Sequence, residues 1–145
     1  MRVVALRIAV AAALAALAFA PAAGAKEIKG AAILQHPCGK VAVEHMALVH
    51  AGKMDEATKL GTKQMQQEWA AMPKEDREMM TGMMKEMSVS REEYSQSITA
   101  DGTLTLEGKG GTLTIVKETK TADGTSQETT TQKYELEGDV CRITH

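Results

Sequence analysis

Apolar and polar positions keep three different rhythms along this chain. Residues 8–20 are an unbroken apolar run, preceded by a short stretch carrying Arg2 and Arg7. Residues 39–88 are rich in Ala, Met, Lys and Glu, with few β-branched residues, which favours helix. Residues 92–144 are rich in Thr, Val, Ile and Leu with Gly at intervals, and apolar residues there tend to alternate with polar ones, which favours strands.

The helical half divides at its glycines and its proline. A first helix is predicted over 40–51, stopping at Gly52, and a second over 55–60, stopping at Gly61. A third stretch begins near Thr62, meets Pro73 and runs on to about Met87, with Glu75 and Asp76 placed near the positive end of the segment that Pro73 opens. The strand half reads as a five-stranded meander over 92–99, 103–107, 112–121, 125–136 and 140–144. Its predicted turns fall at Asp101-Gly102, at residues 108–111, at Asp123-Gly124 and at Gly138-Asp139. Leu104 with Leu106, Leu113 with Ile115, and Tyr134 with Leu136 each share a face, while the opposite positions are mostly Thr, Lys or Glu. One face of the sheet is therefore expected to be wet. Helices first and an antiparallel sheet afterwards define an α+β domain.

The opening run has the form of a leader for export. It is shorter than the roughly 20 residues a membrane span needs. Pro21 breaks it, and Ala23-Gly24-Ala25 supplies the small-x-small pattern of a signal peptidase site. Residues 1–25 are thus expected to be a signal peptide, and residues 26–145 a single mature domain. The expected location is the periplasm, or the medium if the protein is secreted. No later segment is apolar enough to cross a membrane. Removing Arg2 and Arg7 from the 17 Lys and Arg leaves 15 against 19 Asp and Glu, a net charge of −4. A mildly acidic domain without a basic run argues against nucleic acid as a partner.

Export changes the reading of Cys38 and Cys141, the only two cysteines. In an oxidising compartment they most simply form one disulfide, tying the start of the first helix to the last strand. His36 and His145 flank them closely, so a Cys2His2 metal set is the competing reading.

The segment 38–60, CGKVAVEHMALVHAGKMDEATKL, carries a family resemblance. It is a helix, a Gly-containing break at Ala51-Gly52-Lys53, and a short helix ending in Thr58-Lys59-Leu60. Together with the strand, Glu-Gly-Asp turn and strand of 132–143, it resembles nuclear transport factor 2-like domains, in particular small exported members of the lumazine-binding-like type. That resemblance implies a cone, in which a curved antiparallel sheet of about five strands wraps the N-terminal helices, often with a cavity at the wide end. Some such domains are isomerase- or dehydratase-like enzymes, some bind small molecules, and many are dimerisation modules, so a homodimer is among the expectations. The chain differs from them in having only Trp69, Tyr94 and Tyr134 as aromatic residues after its leader.

Candidate chemistry then rests on few residues. His45 shares a helix face with Val41, Leu48 and Val49, so it points where the apolar residues point. It is either a hydrogen-bonded core residue or a polar contact in a cavity, and Trp69 is a candidate cover of the cavity mouth. Met79, Met80, Met83, Met84 and Met87 fall within an arc of roughly 140° at about 100° per residue. Thioethers are soft ligands suited to Cu(I), and methionine faces also make plastic protein-binding grooves. Between Pro73 and Ser88 there is no Leu, Ile, Val or aromatic residue, so these methionines are equally the only core face available to the segment. Met46, Met54, Met65 and Met72 stand alone and suggest no site. No Gly-x-Ser-x-Gly elbow, phosphate loop or His-Glu-x-x-His motif is present. The expectation is an exported non-enzymatic domain that binds a small ligand or a protein partner and has no resident cofactor. A periplasmic copper-handling protein is the first alternative, and a cone-fold isomerase- or dehydratase-like enzyme with His45 as base is the second.

Overall fold

The computed structural model describes residues 24–145. The leader read over 1–25 therefore lies almost wholly outside the described residues. The chain opens with strand β1 (Lys26–Lys29) and a 3-10 turn over Gly30–Gln35. Helices α1 (Pro37–His50), α2 (Met54–Ala57), α3 (Lys63–Ala71), α4 (Lys74–Met87) and α5 (Arg91–Asp101) follow. Strands β2 (Gly102–Glu107), β3 (Gly110–Thr121), β4 (Gly124–Glu137) and β5 (Val140–Thr144) complete an α+β fold.

The five strands form one antiparallel sheet in the order β1-β2-β3-β4-β5. Alternation decides which side is covered. Leu104, Leu113, Ile115, Tyr134, Cys141 and Ile143 are buried, and Ile33, Cys38, Ala42, Tyr94 and Ile98 pack with them into the main core. Past Ile115 and Thr130 the β3–β4 hairpin continues to the Gly124 turn with mostly exposed residues, and there the two strands pair only with each other. Its Thr, Lys and Glu side chains supply no apolar face.

The helix boundaries follow local chemistry. The Nδ1 of His36 accepts the Cys38 amide at 3.1 Å and caps α1, with Pro37 in the first turn. Gly52, at φ +74°, takes the left-handed position that ends this helix. The Thr62 hydroxyl caps α3 through the Met65 amide. Gly39 is required by close approach, because a Cβ there would sit 1.8 Å from the Ile33 carbonyl oxygen.

Two parts of the expected sheet need correction. Residues 92–99 form a helix, not a strand. Ser90 accepts the Glu93 amide at 3.2 Å, Glu92 and Glu93 occupy the first turn, and Tyr94, Ser97 and Ile98 are buried at helical spacing. The acidic pair thus sits in the first turn of a helix, and Asp101-Gly102 is a helix-to-strand junction rather than a hairpin turn. The fifth strand is instead β1, which the sequence reading passed over; it pairs with β2 in the register Ile28 to Leu104. Cys38 and Cys141 form a disulfide across 103 residues, with Cα atoms 5.0 Å apart. The pairing leaves no thiolate for a Cys2His2 metal set. No helix among the described residues is long and apolar enough to cross a membrane.

Candidate functional site

A second, smaller core lies on the helical side. Val49, Met54, Ala57 and Trp69 are buried there, with Leu48, Met72, Met80 and Met84 packed around them. Between this cluster and the β4–β5 end of the sheet is a cavity of about 610 Å³, within the range that small-molecule sites occupy.

Each wall comes from a different element. α1 contributes His45, and α2 contributes Met54 and Ala57. α3 contributes Met65, Glu68 and Trp69, and α4 contributes Met80 and Met84. The floor is Thr131, Gln132 and Lys133 of β4 with Ile143 and Thr144 of β5. The fold thus brings His45 and Trp69 to one cavity, together with two of the five clustered methionines.

The methionine face of α4 divides in two. Met80 and Met84 turn inward, whereas Met79, Met83 and Met87 are 65%, 49% and 67% exposed. The inward pair packs as core residues do, and the outward three form a stripe at four-residue spacing whose last member, Met87, also borders a smaller chamber. Three cavity methionines that stand alone in sequence, Met54, Met65 and Met72, join the inward pair. Met65 and Met72 lie two helical turns apart on α3 and its C-cap, whereas Met54 comes from α2 and joins them only through tertiary packing.

Burial lowers the pKa of His45. Its imidazole is neutral at pH 7 and can donate from one nitrogen and accept at the other. Trp69 is fixed by a 2.7 Å hydrogen bond from its indole N–H to Asp55, which also lies 3.8 Å from Arg77. At the rim, the His145 ring pairs with Glu68 at 2.8 Å. Glu68 is held below its ordinary pKa by hydrogen bonds from Gln64 and His145. It is the one carboxylate on the cavity wall among the described residues, and it is exposed and already engaged.

A second chamber of about 170 Å³ adjoins the first and reaches in to the core tyrosines, with the exposed Met87 and Thr130 also on its wall. His45, Met84, Gln132 and Ile143 border both, and Tyr94 and Tyr134 line only the inner one. Tyr134 is 2% exposed, yet its hydroxyl is buried without a hydrogen-bond partner among the described residues. An unpaired buried hydroxyl costs about 1–3 kcal/mol. Burial, reinforced by Tyr94, pushes this phenol well above its ordinary pKa and keeps it protonated. Neither tyrosine was a site candidate from sequence; alternation marks Tyr134 only as core.

The other histidines are occupied elsewhere: His36 caps α1, and His50 lies 3.0 Å from the Ser88 hydroxyl at an exposed position. The chain matches no family model, no curated protein and no solved structure.

Proposed function

We propose that this protein is a small exported, non-enzymatic domain that binds an apolar small molecule in the cavity walled by His45, Trp69 and the inward methionines. The observation that carries the reading is the cavity itself: about 610 Å³, bordered by Met54, Met65, Met72, Met80 and Met84 and by the uncharged imidazole of His45. Thioether side chains are flexible and polarizable, so such a wall adapts to ligands of different shape. Periplasmic location, or secretion, rests on the leader pattern of residues 1–25, and the disulfide and the lack of a membrane-crossing helix among the described residues fit it. The cone shape and the nuclear transport factor 2-like kinship belong to the same proposal, supported by the helix–break–helix opening and the antiparallel meander.

Trp69 is the only tryptophan in the chain and it lines the cavity, so the protein carries its own reporter. Titration with N-phenyl-1-naphthylamine, an uncharged apolar probe, is expected to quench Trp69 emission saturably with a dissociation constant in the micromolar range. Ala57→Leu, which adds side-chain volume at the wall, is expected to abolish the response while the circular dichroism spectrum stays unchanged. A wild-type protein that shows no saturable quenching overturns the reading.

The copper alternative draws on a different observation, the coexistence of a neutral His45 and the Met80 and Met84 thioethers on one wall, with the stripe of Met79, Met83 and Met87 outside. An anaerobic Cu(I) competition titration tests it. Stoichiometric binding lost in the Met79/Met83/Met87→Leu variant would place copper on the surface stripe. Loss in Met80/Met84→Leu would place it in the cavity. The absence of binding ends the copper reading.

A further inference from the structure

The inner chamber asks for something the protein itself does not supply. Tyr134, which lines this chamber, has a buried hydroxyl with no hydrogen-bond partner among the described residues. Buried tyrosine hydroxyls in folded proteins normally find a partner, so an orphan marks either a ligand atom or a held water. Among the described residues the chamber around it carries no Lys, Arg, Asp or Glu: its titratable members are Tyr94, Tyr134 and His45. The charged residues Glu68 and Lys133 border the outer cavity alone. At about 170 Å³ the inner space admits a group of only a few heavy atoms, given the roughly 30 Å³ that each water occupies in the liquid.

We infer that the ligand of this domain is an uncharged amphiphile whose apolar body fills the outer cavity and whose single hydrogen-bond acceptor, a carbonyl or equivalent oxygen, enters the inner chamber and receives the Tyr134 hydroxyl beside His45. This rests on the ligand-binding reading above and narrows it to a chemical class. Four features specify the class. The tyrosine hydroxyl is a donor without an acceptor, so the incoming atom must accept. A carboxylate would be desolvated with no cation beside it, which is costly. An ammonium would likewise find no anion there. His45 borders both chambers, and as a neutral ring it supplies a second hydrogen-bonding group without demanding charge from the ligand.

The test compares two probes with one body: 6-propionyl-2-(dimethylamino)naphthalene, which carries a ketone, and 2-(dimethylamino)naphthalene, which lacks it. Dissociation constants are read from Trp69 quenching on the wild type and on Tyr134→Phe. That substitution removes only an unpaired hydroxyl, so the variant is expected to fold. The wild type should prefer the ketone, and Tyr134→Phe should weaken ketone binding about tenfold while leaving the parent probe within about twofold. His45→Gln, which keeps a neutral hydrogen-bonding group, should retain most of the ketone preference. Equal binding of both probes to the wild type overturns this inference and leaves the cavity reading standing. An unchanged ketone affinity in Tyr134→Phe assigns the hydroxyl to a structural water only and overturns it too. A parallel loss for both probes shows general damage to the cavity and counts against it. If neither probe binds the wild type, the ligand-binding reading falls and this inference falls with it.

Discussion

The sheet-side core and the helix-side cluster are built from different materials. The sheet side packs Ile33, Ile98, Leu104, Leu113, Ile115 and Ile143 around the Cys38–Cys141 disulfide. Branched aliphatic side chains have few rotamers and fill space in one way. The helix side packs Met54, Met72, Met80 and Met84 with Ala57, Leu48 and Val49 around Trp69, so thioethers make up most of its large aliphatic side chains, and it borders a cavity. Unbranched thioethers have many rotamers and close a space without fixing its shape. One domain thus holds a stiff half that stores stability and a plastic half that leaves room. The candidate site lies where the two meet, with His45 on the boundary.

That contrast is breakable at several points, taken here from the strongest effect to the weakest. Removing the clamp with Cys38→Ala/Cys141→Ala should cost about 2–5 kcal/mol in urea unfolding, since the crosslink closes a very long loop; a loss under about 1 kcal/mol would mean that the sheet side does not depend on it. Leu104→Ala, fully buried, should cost about 3 kcal/mol, whereas Met80→Ala, already beside empty space, should cost about 1 kcal/mol. Equal costs would erase the distinction between the two halves. Tyr134→Phe should leave stability unchanged or raise it by about 1 kcal/mol, because it deletes an unsatisfied group; a clear destabilisation would show that the hydroxyl has a partner.

A pH prediction concerns the boundary residue. His45 binds its proton less readily folded than unfolded, because burial opposes the charge. As pH falls below about 6.5, the unfolded chain takes up a proton that the folded one refuses. Stability should therefore decline from about pH 6.5 down to the folded value and stay level above it. His36 is shifted in the same direction by burial and by Lys26, so His45→Gln should flatten the decline only in part. Urea midpoints at pH 7.5 and 5.5 on both proteins provide the comparison. The weakest effect belongs to the outer stripe: Met79/Met83/Met87→Leu should change stability by no more than about 0.5 kcal/mol per site, the range of exposed positions.

Local signals in the sequence were enough for α1, for the break at Pro73, for the hairpins after β3 and β4 and for the disulfide. Each rests on residues close in the chain or, for the cysteines, on a count of two. The α5 helix was missed although Ser90 and Glu93 stand at capping-box spacing, because Thr, Ser and Ile nearby favoured strand. Strand β1 carries only Ile28 as an apolar residue and owes its conformation to pairing with β2, which no local pattern reveals. At the site, His45 and Trp69 were legible as unusual residues on helical segments. The partition of the α4 methionines was not, since which side of a helix is covered depends on the neighbours it meets. Met54, Met65, Met72 and Tyr134 reach the cavities from distant segments, and their roles exist only once the chain is folded.

The most direct test of the two-material account is a methyl spectrum of the protein carrying ¹³C-methyl methionine, recorded during titration with N-phenyl-1-naphthylamine. The account predicts that the methyl resonances of Met54, Met65, Met72, Met80 and Met84 shift together and saturate, while those of Met79 and Met83 hold their positions. Shifts confined to Met79 and Met83, or none at all at saturating probe, would contradict it.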